Sequence, residues 1–323
     1  MEHRITRRTF VASGTALALH PATQANTYPA KPVRLIVPWP AGGGADQVGR
    51  AVSAYLSRQW GQQLIVDNVA GAGGTIGTQQ LTRAPADGYS LVMATSSTNS
   101  AGPHLYKSLR FEAVADFTPV VSVAVIPSLL VVGPKSPYKT AEDLIAAARA
   151  RPGALNYASG GVGQSGHLAG ALFKSLLGLD VTHVPYKGAA PALSDVMGGQ
   201  TDYVFDTGAY AHVAAGALRA LAVAAPQRHP SLPDIPTLEE LGVKGMVMTT
   251  WYGLAGPAGL PAAVVERVNA SVNQGLKSGE LSKAIAAIGG QPTGGSAAEF
   301  SGFWRAELQR YAGIVRLSGA TLE

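Results

Sequence analysis

Short apolar runs alternate along the chain with segments that have helical periodicity. In the first third, apolar runs predict three strands, at Val33–Val37, Leu64–Asn68 and Ser90–Ala94. Between the first two strands, apolar residues are spaced as on one face of a helix from Asp46 to Trp60. A second helix is predicted to end near Leu81, after the glycine cluster 71–74. Strands that alternate with helices indicate parallel βαβ units and an α/β fold.

The rest of the chain continues this alternation. The predicted strands are Ser128–Val132, Leu155–Ala158, Val181–Pro185, Tyr203–Phe205, Leu218–Ala224 and Val247–Leu254. The predicted helices are Thr140–Arg149, Gln164–Leu177, Ala190–Met197, Thr207–Ala215, Pro261–Leu276, Ser278–Ile288 and Ala297–Leu317. Thr140 is placed to cap its helix, because acidic residues follow it in the first turn.

Two halves rich in βα units indicate two domains rather than one. A proline-rich linker spans 226–236, and strands near 120–132 and 247–254 are placed to cross between the halves. We therefore expect a first domain of residues 26–125 plus 246–323 and a second domain of residues 126–245. Each domain is expected to hold a mostly parallel sheet flanked by helices, and the pair would form a clamp.

The first residues have the pattern of a bacterial export signal. Arg7-Arg8, Phe10 and the mildly apolar stretch Val11–Leu19 match the twin-arginine type, and Thr23-Gln24-Ala25 offers small residues for cleavage. Val11–Leu19 is too short to span a bilayer, which takes about 20 apolar residues. We expect residues 1–25 to be a signal peptide and the mature protein to work in the periplasm.

Composition excludes several classes of site. The chain of 323 residues has no cysteine, which excludes disulfides, thiolate metal sites and cysteine nucleophiles. Its formal charge is only +5, and without a lysine or arginine run nucleic acid is not an expected partner. The 7 histidines show no metal-ligand spacing, so no metal site is predicted. A mild positive charge suits a small anionic ligand.

Four polar loops follow predicted strands, at 38–46, 70–77, 95–99 and 159–167. Ligands of parallel α/β sheets bind beyond the carboxyl ends of the strands, where these loops lie. Three of the loops are rich in glycine and lead into helices, so that they expose backbone N–H groups at the positive end of a helix dipole. Such loops hold an anion without a formal positive charge, although any one of them also serves as a tight turn.

Enzyme motifs are present only in incomplete form. Gly161–Gly166 matches the dinucleotide pattern G-x-G-x-x-G, but the strand before it is polar and Lys187 stands where a ribose-binding acid would follow. No glycine loop continues into Lys-Ser/Thr, and Ser165 lacks the last glycine of a nucleophile elbow. An exported α/β oxidoreductase remains the alternative, because twin-arginine export accepts proteins already folded around a cofactor.

Individual side chains near these loops each have two interpretations. Asp206 either caps the helix that follows it or is a carboxylate in the cleft, and Asp46 has the same two interpretations. Trp39, in a proline-rich loop, is expected to form the pocket floor and pack on an apolar ligand body. His167 either touches the ligand or makes a local hydrogen bond. Lys187 either supplies a cation or is simply solvated.

An ordered set of motifs resembles a known receptor family. The motifs are 37–46, VPWPAGGGAD; 71–77, GAGGTIG; 87–89, DGY; 157–163, YASGGVG; 183–188, HVPYKG; 218–223, LRALAV; 232–237, LPDIPT; and 251–253, WYG. In this order they resemble the Bug-type receptors, the extracytoplasmic solute-binding proteins of tripartite tricarboxylate transporters. The resemblance spans nearly the whole mature chain.

The resemblance implies a two-domain periplasmic binding protein of the Venus-flytrap type, with no enzymatic activity and no cofactor. Its ligand would be a small carboxylate, such as a dicarboxylate, an amino acid or an aromatic acid, and its partners would be membrane transporter subunits. We expect a monomer. The binding residues that match the family are Trp39, Ala41, Gly43, Asp46, Gly73, Gly74, Thr75, Ser97, Ser159, Gly163 and Asp206. Trp39 departs from the Phe or Tyr that is usual there, and we add His167 from its place beside the fourth loop.

Overall fold

The structure is a computed structural model that describes residues 28–320 and residue 322; the predicted signal peptide, residues 1–25, lies outside them. The described strands are β1 (Val33–Val37), β2 (Leu64–Asn68), β3 (Ser90–Thr95), β4 (Phe117–Pro127), β5 (Leu129–Val132), β6 (Asn156–Ser159), β7 (Thr182–Pro185), β8 (Tyr203–Asp206), β9 (Arg219–Val223), β10 (Thr249–Pro257) and β11 (Gln291–Gly294). The described helices are α1 (Gly44–Trp60), α2 (Thr75–Thr82), α3 (Gly102–Leu105), α4 (Ala141–Ala150), α5 (Ser165–Leu177), α6 (Ala189–Gly198), α7 (Tyr210–Ala214), α8 (Ala262–Lys277), α9 (Glu280–Ala287) and α10 (Ala297–Ser318). From residue 28 onward, no described helix is both long and apolar enough to cross a bilayer.

The strands form two sheets. The first sheet has the order β11-β4-β10-β3-β1-β2, and the second has the order β7-β6-β8-β5-β9. In the first, β1 pairs in parallel with β2 and β3, whereas β10 and β11 form antiparallel pairs. In the second, β6 is parallel to β7 and β8, whereas β5 is antiparallel to β8 and β9. The two-domain α/β fold predicted from the sequence is confirmed.

The sheets are mixed rather than mostly parallel, which corrects one part of the prediction. The antiparallel pairs come from the strands that carry the chain between the sheets and back, β4, β5 and β10. A strand that returns from the other sheet runs antiparallel to the strand beside it. The βα periodicity predicted the parallel units correctly, but it does not indicate the direction of a strand that returns from the other sheet.

Two adjacent passages connect the sheets. β4 runs into β5 with only Ser128 between them, and Ser128 N–H donates to the carbonyl of Met248 at 2.9 Å. The backbone of Ala224 lies between, since its N–H donates to Ser128 and its carbonyl accepts from Met248, each at 2.9 Å. These passages fall close to the predicted limits at 125–126 and 245–246. The domain boundaries themselves stay a prediction.

The central strands of the first sheet are buried on both faces. Val33, Leu35 and Val37 of β1 point to the face covered by α1, and Ile36 points to the other face. On that other face Trp304 of α10 packs against Trp251 of β10, with ring centroids 5.2 Å apart. Burial on both faces explains why the strands read as continuous apolar runs rather than as alternating ones.

Helix caps were predicted at Thr140 and, as one of two interpretations, at Asp206. The hydroxyl of Thr140 accepts from Asp143 N–H, and the Asp143 carboxylate accepts from Thr140 N–H, so the predicted cap of α4 is confirmed. Asp206 does not cap a helix directly after it, because α7 begins only at Tyr210. Its carboxylate instead accepts from Gly208 N–H at 2.6 Å, in a tight turn after β8.

Candidate functional site

A small cavity with about 20 Å³ of free space lies between the two sheets where their loops meet; we call it the inner cavity. The first-sheet side contributes Trp39 and Gly43 from the β1–α1 loop, Ser97 from the turn after β3, and Tyr252 from β10. The second-sheet side contributes Gln164, Ser165, Ala189, Asp206 and Thr207. Loops at the carboxyl ends of strands in both sheets therefore enclose one polar space.

Three helices begin at the wall of this cavity. Their first residues, Gly44 of α1, Ser165 of α5 and Ala189 of α6, all line it. No side chain caps the start of any of the three. Backbone N–H groups at such ends have no partner within the helix, and the helix dipole makes each end partly positive. Together the three ends can hold an anion without a charged side chain.

Of the residues that the structure describes, Asp206 is the one acidic side chain in the wall of the inner cavity. It is 7% exposed and forms no ion pair among the described residues. Burial raises the pKa of Asp206 to about 6, although the Gly208 N–H partly opposes the rise. A carboxyl group with this pKa gains a proton readily when a second carboxylate comes near it.

A hydrogen bond joins the two sides of the inner cavity. Thr207 follows β8 in the second sheet, and its Oγ1 lies 2.9 Å from Oη of Tyr252 in the first sheet. Both residues are almost fully buried. Gly44 lies against the pair, since a Cβ built on it would sit 2.5 Å from each hydroxyl oxygen. The close approach of the two sides at this point requires the glycine.

A second cavity of about 350 Å³ adjoins the first, and we call it the outer cavity. Trp39 and Pro40 line both cavities. The remaining walls of the outer cavity are the glycine loop 70–74, the segment 160–162 and the segment 186–188. Gly74, at φ +88°, lets the loop approach Trp39, because a Cβ there would lie 3.0 Å from the indole Cζ2.

Comparison with known proteins decides the family. The family described as "Tripartite tricarboxylate transporter family receptor" matches residues 48–319. The chain belongs to this family. Protein BugT of Bordetella pertussis is 36% identical over 302 residues, which covers 93% of this chain and 93% of BugT. The Bug-type resemblance predicted from the motifs is confirmed.

Solved structures give the same result for the fold of this receptor. "R. palustris Rpa4515 with adipate" matches with a TM-score of 0.88 at 34% identity and covers 91% of this chain and 100% of that one. "Structure of periplasmic binding protein BugD" matches with a TM-score of 0.86 at 31% identity, over 92% of this chain and 100% of that one. Both matches support the two-domain α/β fold, and BugD is described as a periplasmic binding protein.

The predicted binding residues of the receptor separate into groups. Trp39, Gly43, Ser97 and Asp206 line the inner cavity. Gly73 and Gly74 line the outer cavity, as Trp39 also does. The other predicted residues line neither cavity: Ala41, Asp46, Thr75, Ser159, Gly163 and His167.

Asp46 has structural partners instead. Its carboxylate accepts from Gly42 N–H and Arg50 Nε, each at 2.9 Å, and from Asn68 Nδ2 at 3.0 Å. Burial alone would raise the pKa of Asp46, but these hydrogen bonds and the Arg50 charge outweigh it and lower that pKa. The carboxylate braces the β1–α1 loop, which orients the start of α1 toward the inner cavity.

Ser159, Gly163 and His167 form contacts that stabilise their loop rather than line a cavity. Ser159 Oγ lies 2.7 Å from His183 Nε2, and Gly163 N–H donates to His167 Nδ1 at 3.2 Å. The rings of His167 and His183 stack with centroids 4.4 Å apart. Burial lowers the pKa of His167 to about 4, and burial together with His167 lowers the pKa of His183 to about 4. Both rings are therefore neutral at pH 7.

Thr75 also bonds locally. Its hydroxyl donates to the carbonyl of Ala72 at 2.8 Å, and Tyr106 Oη donates to the same carbonyl at 2.8 Å. Ala72 has φ +44°, which is rare outside glycine, and it stands between glycines of positive φ. The two hydroxyls hold this unusual turn in the shape that forms one wall of the outer cavity.

Several lining residues were not predicted. Tyr252 and Thr250 line the inner cavity from the same face of β10, since strand residues two apart share a face. Their polar atoms in an otherwise apolar strand were the available signal. Gln164 and Ser165 fall within the predicted ligand loop 159–167 but were not named as binding residues, although an uncapped helix start beside a glycine loop points to a ligand.

Proposed function

We propose that the protein is an extracytoplasmic receptor that captures a small carboxylate in the inner cavity. The observation that carries this proposal is the meeting of three uncapped helix starts, at Gly44, Ser165 and Ala189, around one polar space. Their N–H groups suit a carboxylate, which accepts several charge-assisted hydrogen bonds at once. The adipate in the related Rpa4515 structure supports the same class of ligand.

The other side chains of the inner cavity would each recognise a different part of the ligand. Trp39 offers an apolar ring for the body of the ligand, which is a dicarboxylate, an amino acid or an aromatic acid. Asp206, with its raised pKa, would meet the carboxylate as a neutral acid that donates a hydrogen bond, or through a bridging water. The predicted residues outside the inner cavity would act by shaping its loops.

Capture would close two domains around the ligand. We place the domains at 26–125 plus 246–323 and at 126–245, with the hinge at Ser128 and Met248. The Thr207–Tyr252 hydrogen bond would form on closure, and the closed form would be presented to membrane transporter subunits. We propose that the receptor acts as a monomer.

We further propose that the receptor works in the periplasm after removal of residues 1–25. The Arg7-Arg8 pattern supports export by the twin-arginine route. The related BugD, described as a periplasmic binding protein, supports the compartment. Fusion of residues 1–35 to a reporter protein, with and without Arg7→Lys and Arg8→Lys together, tests the route. Export that survives the double change would contradict it.

Ligand-induced stabilisation tests the binding function. Purified protein from residue 26 is heated with adipate, succinate, glutamate or benzoate, and with hexanediol as the neutral counterpart of adipate. A ligand at about 100 times its Kd adds about 2.7 kcal/mol to stability, which raises Tm by several degrees. We expect a rise with at least one carboxylate and none with hexanediol. No rise with any of the four acids would refute the proposal.

The same preparation tests the oxidoreductase alternative. We expect an absorption spectrum without flavin or nicotinamide bands, and no rise in Tm with added nicotinamide or flavin cofactors. An absorption band from a stoichiometrically bound cofactor in the purified protein would favour the oxidoreductase, even if a carboxylate raises Tm.

A further inference from the structure

The glycine loops of the two sheets face each other across the outer cavity. The loop 70–74 follows β2 of the first sheet, the segment 160–162 follows β6 of the second, and both line this cavity. They approach each other at Gly73, where an added Cβ would lie 3.3 Å from the carbonyl oxygen of Val162. A contact that touches both loops would therefore act on the closure of the outer cavity.

One side chain lies between the two loops. Tyr106 follows α3, and its Oη donates to the carbonyl of Ala72 in the first loop at 2.8 Å. A Cβ added to Gly73 would clash with the same oxygen, and one added to Gly163, next to the second segment, would lie 3.6 Å from it. The Tyr106 hydroxyl is thus bonded to the first loop and lies close to the second.

Leu322, which follows α10, packs beside Tyr106. Its N–H donates to the carbonyl of Leu105 at 3.0 Å, and the backbones of Leu322 and Tyr106 form a parallel bridge. Leu322 Cδ1 would lie 3.0 Å from a Cβ added to Gly163. We call Leu105, Tyr106 and Leu322 the clasp. It contacts a loop of each sheet, and none of its residues belongs to the two passages that connect the sheets.

Helix α10 brings Leu322 to this place. Trp304, in the first half of the helix, packs on Trp251 of the first sheet. Ile314 and Val315, near its end, are buried in a core cluster with residues of α5 and β8. The helix therefore packs against both sheets, and the segment after it lies where their loops meet.

The loops do not depend on the clasp for their own fold. The Ala72 carbonyl also accepts from Thr75 Oγ1 at 2.8 Å and from Thr75 N–H, so it keeps partners without the Tyr106 hydroxyl. Tyr106 and Leu322 are each only partly buried. Loss of either contact should therefore cost the ligand-free protein little stability.

We propose that Tyr106 and Leu322 are positioning residues, which hold the two glycine loops together after ligand has bound and thereby slow its release. The inference rests on the proposed carboxylate-binding function and adds a link between the sheets outside their connecting strands. Separation of the loops must break the Tyr106–Ala72 contact or the Leu322–Gly163 contact, because the clasp touches both loops. Release of a ligand held between the sheets requires this separation.

Variants that remove the contact on each side test the proposal. Tyr106→Phe removes the hydroxyl, Leu322→Ala shortens the apolar side chain, and the double variant does both. Leu322→Met is the conservative variant. The matched controls are Tyr138→Phe, whose hydroxyl accepts from Arg151, and Leu317→Ala, an exposed leucine of α10. Neither control residue lines either cavity.

The ligand is whichever of adipate, succinate, glutamate and benzoate binds wild type most tightly. Calorimetry gives Kd, and stopped-flow tryptophan fluorescence gives the two rates, since Trp39 lines both cavities. We expect the double variant to raise Kd about tenfold, through the loss of one hydrogen bond and one partly buried side chain. The dissociation rate should rise and the association rate should stay the same, because the clasp closes after binding.

The other variants complete the expected pattern. Leu322→Met and both controls should keep the wild-type Kd, and Tm of the ligand-free double variant should stay close to that of wild type. The single variant that accounts for more of the rise in Kd identifies the contact that breaks on opening.

Two failures are distinguishable. If wild type binds none of the acids, the proposed function itself fails, and the inference fails with it. If wild type binds an acid and the double variant has the same Kd, only the clasp is refuted. A rise in Kd through slower association would also refute it. So would a rise in Kd together with a lower Tm of the ligand-free protein, because a general structural role would then explain the loss.

Discussion

Replacing Gly44 with alanine tests whether the two sheets make the Thr207–Tyr252 contact in the ligand-bound receptor. Gly44 begins α1, and its φ is not positive, so an alanine fits the helix itself. A Cβ at this position would lie 2.5 Å from Thr207 Oγ1 and 2.5 Å from Tyr252 Oη. These two hydroxyls belong to opposite sheets and bond to each other at 2.9 Å.

The size of the effect follows from that overlap. Non-bonded heavy atoms have an optimal separation of about 3.5 Å, so the methyl group would overlap each oxygen by about 1 Å. Overpacking of this kind costs about 1–3 kcal/mol, and each 1.4 kcal/mol, roughly, is a tenfold change in a binding constant. Because the cost falls on the closed form, we expect Kd for a bound carboxylate to rise about tenfold or more. The ligand-free protein should unfold at an unchanged urea concentration, since its two sides can remain apart.

Calorimetric titration of wild type and Gly44→Ala with the best-binding acid measures the change. Gly302→Ala is the matched control, because it also adds a methyl group to a helix but meets nothing within 4 Å. A wild-type Kd in Gly44→Ala would refute closure through this contact. An equal destabilisation of the ligand-free variant would show instead that the contact is permanent.

Three further predictions use the side chains of the site. Burial raises the folded-state pKa of Asp206 from 3.8 to about 6, so the ionised carboxylate destabilises the folded protein. The folded protein therefore has its full stability below about pH 4, where Asp206 is protonated, and loses part of it as pH rises through 6. Asp206→Asn should therefore stabilise the ligand-free protein by about 3 kcal/mol at pH 8 and by nothing at pH 3.5 in urea unfolding; an equal gain at both pH values would contradict the assigned cause. His167, with a pKa lowered from 6.5 to about 4, contributes about 3 kcal/mol that is fully present above pH 6.5 and lost as pH falls through 4. His167→Gln should reduce the slope of the acid side of the stability profile without abolishing it, because the pKa of His183 is also lowered to about 4, and a profile that keeps its full slope would show that His167 does not titrate there. Trp39→Phe should change the order of affinities across a panel of aliphatic and aromatic acids, and an unchanged order would remove Trp39 from selectivity.

The local features of the fold were predictable because their signals are local. Thr140 and Asp143 form the capping box that their spacing indicates, and the βα alternation gave the parallel units around β1 and β6. The glycine loops were placed correctly beside the cavities, since a loop after a parallel strand lies at the carboxyl edge of the sheet. Family motifs extended these local signals to the whole chain.

The partners of the site residues were not predictable in the same way. Asp46 and His167 lie in the first turns of α1 and α5, beside the glycine loops, but the sequence does not show that Asn68 and Gly163 already occupy their polar atoms. Tyr252 meets Thr207 only because two sheets fold onto each other, which no periodicity records. The return of β10 as an antiparallel strand was missed for the same reason.

The most direct test of the account is a crystal structure of the protein with bound adipate. We expect one carboxylate of the ligand in the inner cavity, within about 3 Å of main-chain nitrogens at the starts of α1, α5 and α6. We also expect Asp206 to lie near that carboxylate and Thr207 and Tyr252 to remain in contact. A ligand whose carboxylates touch none of the three helix starts would contradict the central claim.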